Sequence, residues 1–200
     1  MTASSAPARS DRDRLIALLA AKSAKRGDFV LASGRRSSLY IDCRLTTMSP
    51  EGQLLIGREG LMALQKYGWV ADSIGGLTLG ADPVSYAIAH SSALARERGD
   101  TAPMLRAFTV RKELKKHGTG RLIEGPFASG DRVVVIEDVI TTGGSALRAA
   151  DSIRAAGGNI LGVLALVDRE EGGREAIASA GLETIALVRA TELLALMPAS

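Results

Sequence analysis

From Trp69 onward, apolar runs rich in β-branched residues alternate with stretches of helical spacing. The runs 70–74, 104–110, 132–136, 160–167 and 184–188 predict strands, and the segments 81–98, 145–156 and 174–180 predict the helices between them. This alternation is the pattern of βαβ units, so the predicted fold is α/β with a central, mostly parallel sheet flanked by helices. Runs 132–136 and 160–167 are continuous rather than alternating, which predicts strands buried on both faces. Before Trp69 the pattern differs. Leu15, Ile16, Leu18 and Leu19 at helical spacing predict an amphipathic helix over 11–25, and a second helix is expected over 51–67. Between them FVLASGRRSSLYIDCR, residues 29–44, mixes strand formers with a Ser/Gly/Arg turn and reads as a hairpin-like excursion. The first ten residues are small and polar and are expected to be poorly ordered, leaving 11–200 as a single domain.

Composition narrows the function classes. One cysteine, Cys43, closes no intrachain disulfide, and with two histidines there is no Cys/His set for a zinc site. A reduced, cytoplasmic protein is expected. The longest apolar run, 160–167, is far short of the roughly 20 residues of a membrane span. The apolar stretch 15–21, between Asp13 and Lys22, lacks a signal-peptide cleavage pattern. Net charge is +3. Its location matters more than its size: residues 111–121, RKELKKHGTGR, hold five Lys/Arg and one Glu, a local +4, so the rest of the chain carries −1. A nucleic-acid binder would spread basic residues along a face, and this chain concentrates them in one segment.

In a parallel sheet, ligands sit beyond the carboxyl ends of the strands. There the chain reads VVVIEDVITTGGSALRAA, residues 133–150: a buried strand, two adjacent acids, then a Thr-Thr-Gly-Gly-Ser turn opening a helix. Gly143 and Gly144 permit a tight turn, and the hydroxyls of Thr141, Thr142 and Ser145 with the free N–H groups of the helix start suit a phosphate. Glu137 and Asp138 would repel that phosphate; they fit a neutral polyol such as ribose, or a cation. No GxxxxGK[ST] occurs, and no GxGxxG follows the first sheet strand, so neither a P-loop nor a dinucleotide site is expected.

These residues resemble a known family. VVVIEDVITTGGS is similar to the phosphoribosyl-pyrophosphate (PRPP) signature of type I phosphoribosyltransferases, and RKELKKHGTGRLIEG, residues 111–125, resembles the mobile catalytic loop of the orotate phosphoribosyltransferases. SGRRSSLYIDCR and GGLTLGADPVSYAIA stand in the family's order. The resemblance implies a type I phosphoribosyltransferase fold with a small N-terminal hood over 11–48 and a flexible loop over 111–125. It implies transfer of the phosphoribosyl group from PRPP to orotate, giving orotidine 5′-monophosphate in pyrimidine synthesis. Arg111, Lys112, Lys115 and His117 would contact the pyrophosphate, with Lys115 and His117 stabilising or protonating it as it leaves. Glu137 and Asp138, the latter counted with the catalytic residues, would hold the ribose hydroxyls, and Thr141, Thr142, Gly143, Gly144 and Ser145 the 5′-phosphate. Arg169, Thr141, Tyr40 and Ile41 would take orotate. Gly118 and Gly120 suit a lid that excludes water from a reactive sugar cation.

The resemblance also implies a homodimer in which Arg111, Lys115 and His117 act across the interface and Lys112 within its own subunit. Mg2+ would arrive with PRPP, with no direct protein ligand and at most a water-mediated contact to Asp138. Lysines that some family members carry are absent, with Ala32 and Leu79 in their places, so either backbone N–H groups and Arg35, Arg36 or Arg44 substitute or pyrophosphate is bound more weakly. A non-proline cis peptide is implied near Leu77 and Thr78. Cys43, Trp69 and His90 read as structural. A purine-type phosphoribosyltransferase would share 133–145 without the Lys-x-His-Gly loop, and a PRPP-sensing regulator would lose the loop cations.

Overall fold

A computed structural model describes residues 9–30, 36–113 and 122–198. In chain order its elements are α1 (Asp11–Lys22), β1 (Ala24–Val30), β2 (Arg36–Ile41), α2 (Arg44–Thr47), α3 (Pro50–Lys66), β3 (Ser73–Leu77), α4 (Ala81–Glu97), β4 (Arg106–Val110), β5 (Ile123–Glu124), β6 (Arg132–Ile140), α5 (Gly144–Ala155), β7 (Asn159–Asp168), α6 (Gly173–Ser179), β8 (Thr184–Arg189) and α7 (Ala190–Leu196). Six strands form one sheet in the order β5-β4-β3-β6-β7-β8, parallel except for the antiparallel β4–β5 pair at the edge. Strands β1 and β2 form a separate antiparallel hairpin. The α/β expectation therefore holds. Val133 to Ile136 and Val163 to Val167 are all fully buried, as their continuous apolar runs require.

Several boundaries differ from the sequence reading. The strand expected at 70–74 lies at Ser73–Leu77, because Val70 is 49% exposed while the chain continues into the sheet through Gly75 and Gly76. Likewise Met104 is exposed and β4 starts at Arg106. Helix α1 stops at Lys22, where the Ser23 N–H still bonds the Leu19 carbonyl, and the polar segment Ala24–Val30 becomes a strand against β2. Its start is set by Ser10, whose hydroxyl accepts from the Asp13 N–H at 3.1 Å. Strand β6 runs four residues beyond the predicted end, so Glu137 and Asp138 lie within it. Among the described residues no helix is long and apolar enough to cross a membrane.

The connections place the site. From β3 the chain crosses through α4 to β4 on one side, then returns to β6 on the other. The carboxyl ends of β3 and β6 thus diverge at a topological switch point, where doubly wound sheets open a crevice.

Candidate active site

A cleft of about 360 Å³ opens there. Its walls come from the segment after β3 (Leu77 to Gly80), the end of β6 (Glu137 to Val139), the turn into α5 (Thr141, Ser145), Arg169 beyond β7, Lys112 beyond β4, and the hairpin edge Tyr40 to Arg44. Of the residues predicted from sequence, Tyr40, Ile41, Lys112, Glu137, Asp138, Thr141, Ser145 and Arg169 meet on this wall. Thr142, Gly143 and Gly144 form the adjoining turn and are not on the wall itself. Arg111 is turned away from it, its guanidinium 3.8 Å from Glu124 and its N–H on the Leu122 carbonyl. Lys115, His117, Gly118 and Gly120 lie outside the described residues, as do Ala32 and Arg35. Arg36 faces Asp28 on the hairpin, whereas Arg44 reaches the cleft.

Local sequence explains the anion-binding half. Gly143 caps α5 from a left-handed conformation, φ 79°, where a β-carbon would also stand 2.8 Å from the Gly173 carbonyl. Among the described residues no side chain caps the helix, so its first N–H groups are unclaimed by a capping group there. Beside them Thr141 and Ser145 supply hydroxyls. An oxyanion is the natural occupant.

The two acids behave differently. Glu137 is 7% exposed, and burial, then the neighbouring Asp138 charge and a hydrogen bond to it, push its carboxyl up to about 9. At neutral pH Glu137 is a hydrogen-bond donor. Asp138 has one oxygen held by the Val139 N–H at 2.9 Å. Donor and acceptor side by side match a vicinal diol, whose hydroxyls each give and take one hydrogen bond.

Across the cleft, the Thr78–Leu79 peptide is cis, one residue beyond the expected position. Asp82, buried in the first turn of α4, holds this segment by accepting from Thr78 Oγ1 at 2.7 Å and from Thr109 Oγ1 at 2.9 Å. Gly80 packs so closely on Asp138 that a β-carbon there would lie 2.5 Å from the carboxylate. Sequence reasoning missed Asp82 and Asp42, although an acid in the Gly-Ala-Asp-Pro helix start was a usable signal for the first. Asp42 grips Arg44 through two bonds of 2.8 and 2.9 Å, and those bonds lower the Asp42 carboxyl. Cys43, read from sequence as structural, is 2% exposed and also touches the cleft; its burial pushes the thiol far up, which leaves it protonated and unreactive. His90 is exposed on α4 away from the cleft, and Trp69 packs against Gly162.

Arg169 closes the far wall, with its side chain 6% exposed and Glu171 Oε1 2.8 Å from Nη2. For a metal, the cleft offers carboxylate, hydroxyl and carbonyl oxygens, which suit a hard ion. Among the described residues, no group of three or more His, Cys, Asp and Glu side chains could hold one. An incoming ion would need most of its shell from a ligand.

No family model matches the chain. Individual relatives do. The orotate phosphoribosyltransferase of Rhodopirellula baltica is 43% identical over 184 residues, 90% of this chain and 92% of its own length. That of Aquifex aeolicus is 44% identical over 187 residues, 92% of this chain and 98% of its own. Among solved structures, orotate phosphoribosyltransferase of Mycobacterium tuberculosis H37Rv in complex with PRPP superposes with a TM-score of 0.74 at 38% identity, covering 92% of this chain and 99% of that one. Adenine phosphoribosyltransferase of Leishmania tarentolae, 18% identical with a TM-score of 0.60, shares the fold alone. With relatives this similar along nearly its whole length, the chain belongs to the orotate phosphoribosyltransferase family and carries the type I phosphoribosyltransferase fold.

Proposed function

We propose that this cleft joins orotate to PRPP at the orotate ring nitrogen, releasing pyrophosphate and forming orotidine 5′-monophosphate in de novo pyrimidine synthesis. One observation carries the reading. A diol-matching acid pair, an uncapped helix N-terminus and a buried arginine share one cleft at the switch point. Each fits one part of the two substrates. The N–H groups and hydroxyls of Thr141 to Ser145 take the 5′-phosphate, neutral Glu137 donates to and Asp138 accepts from the ribose hydroxyls, and Arg169 meets the orotate carboxylate as a planar donor. Thr141, on the same wall as Tyr40 and Ile41, would reach orotate as well as phosphate, and Tyr40 with Ile41 would cover the ring.

As the C1–pyrophosphate bond lengthens, positive charge grows on the ribose and negative charge on the leaving group. Cations placed at the leaving group stabilise that state more than the ground state. Lys112 is on the cleft wall for this purpose, with Arg44 beside Asp42, and the 111–125 loop would add Arg111, Lys115 and His117. Lys115 or His117 would donate the proton that pyrophosphate takes. Magnesium carried by PRPP would be held on the protein side by Asp138 through water, and supplies further neutralisation of the pyrophosphate charge.

Residues 11–200 are read as one catalytic domain with 11–48 as its hood. A homodimer, with loop 111–121 reaching the neighbouring site, suits the surface beside the cleft. There Leu45, Met48, Leu54, Leu79 and Tyr86 are 44–53% exposed, and Gln53 ties α3 to the start of α4 through the Pro83 carbonyl at 2.9 Å. A cytoplasmic location accords with a single buried, unpaired cysteine. The deciding measurement is orotate consumption by absorbance with PRPP and magnesium, with uracil and hypoxanthine as competing bases. Orotate-dependent pyrophosphate release supports the reading; release with hypoxanthine and none with orotate overturns it.

A further inference from the structure

The backbone of Arg169 is tied to the sheet, its N–H donating to the Ile140 carbonyl at 3.0 Å, but its guanidinium is held by the hairpin. Its Nη2 donates to Ser37 Oγ at 2.8 Å and to the Leu39 carbonyl at 2.9 Å, both on β2. An Nη2 group has two hydrogens, so these two directed bonds use both. Glu171, 2.8 Å away, then acts as a counter-charge that lets the guanidinium remain buried. The buried Nε has no hydrogen-bond partner among the described residues.

Ser37 is saturated in a way that fixes its role. Its hydroxyl proton goes to the Leu39 carbonyl at 2.9 Å, and its oxygen accepts from the Leu39 N–H at 3.2 Å as well as from Arg169. One donor and two acceptor positions are thus all used. Because a guanidinium only donates, Ser37 Oγ meets Arg169 solely as an acceptor, and its one proton is free to stay on the Leu39 carbonyl. Strand β2 pairs only with β1 among the described residues, so this contact, 132 residues apart in sequence, locks the hairpin that carries Tyr40 and Ile41 to the end of β7.

We propose that Ser37 is a positioning residue for the base site: its hydroxyl fixes the Arg169 guanidinium against β2 and thereby sets the affinity for the orotate carboxylate. The proposal rests on the function proposed above. It is tested with Ser37→Ala, Ser37→Cys and Ser37→Thr beside the wild type, measuring KM for orotate and for PRPP, kcat and Tm. Threonine keeps the acceptor, cysteine weakens it and alanine removes it. With the Leu39 carbonyl still in place, Ser37→Ala should raise the orotate KM about tenfold, the low end of what one hydrogen bond to a charged group is worth. Ser37→Cys should fall between, Ser37→Thr should match the wild type, and the PRPP KM and Tm should stay put in all three. If Ser37→Ala does not fold, the cysteine and threonine variants still test the order. A wild type that turns over no orotate overturns the underlying function. An active wild type with an unchanged orotate KM in the alanine and cysteine variants overturns the positioning role, as does a rise in both KM values together with a fall in Tm.

Discussion

Replacing Glu137 by glutamine should remove a pH dependence that the wild-type fold carries. In the unfolded chain this carboxyl loses its proton near its ordinary value of 4.5, whereas in the fold burial and the Asp138 charge keep the proton on to about 9. Between these values the unfolded state binds fewer protons than the native one, so stability falls as pH rises, and it levels off above the folded value. Each unit of the window is worth at most about 1.4 kcal/mol. From about pH 5.5 to about pH 8 the ceiling is therefore about 3 kcal/mol. Little solvent screening applies, because Glu137 is 7% exposed. Glutamine has the same shape, no proton to lose and an amide that still donates to a ribose hydroxyl. For a chain of this size 3 kcal/mol corresponds to roughly 6–12 °C in Tm. Thermal unfolding followed by circular dichroism across this range should show the wild type losing stability relative to Glu137→Gln by up to that amount, with the curves meeting at the acid end. Parallel curves would refute the buried, protonated Glu137 and with it the donor–acceptor reading of the acid pair.

Gly80→Ala puts a β-carbon 2.5 Å from the Asp138 carboxylate. It should raise the KM for PRPP by about tenfold or more while the protein stays folded, since the clash falls on a cleft residue rather than the core. Arg132→Ala removes the two side-chain bonds that lower Asp72 to about 2. That support is present above the ordinary aspartate value and is lost as pH falls through about 2, so the variant should unfold at a higher pH in an acid titration and match the wild type's activity at neutral pH. Lys115→Ala should cut turnover by ~10²-fold or more, the range for a lost electrostatic stabiliser. Mixed with Arg169→Ala it should regain activity in hybrid dimers; no recovery on mixing would place each loop in its own subunit's site.

The parallel framework was legible in the chain because buried strands write themselves as unbroken apolar runs, as 132–136 and 160–167 do. The phosphate turn and acid pair were legible for a related reason: their chemistry is contiguous, so one stretch of thirteen residues, 133–145, displays it whole. What stayed hidden has the opposite form. Strand β3 was misplaced because Gly75 and Gly76 serve close approach to the Phe108 and Ile136 carbonyls, a demand made by neighbouring strands that leaves no hydrophobic period. The hairpin was expected from Phe29, but its first strand begins at Ala24, because Lys25, Arg26 and Asp28 obscure any alternation there. The same holds inside the site. Arg169 has a place in the motif order, yet its orientation depends on Ser37 and Leu39, and the cis segment depends on Asp82 and Thr109, pairs that only the folded chain brings together. Contiguous motifs therefore carry the proposed ribose and phosphate subsites, whereas the geometry of the proposed base site is set by long-range bonds. Substrate choice between bases should accordingly be altered more readily through hairpin residues such as Ser37 than through the signature itself, because the partners proposed for the signature, phosphate and ribose, are common to every base the fold could accept.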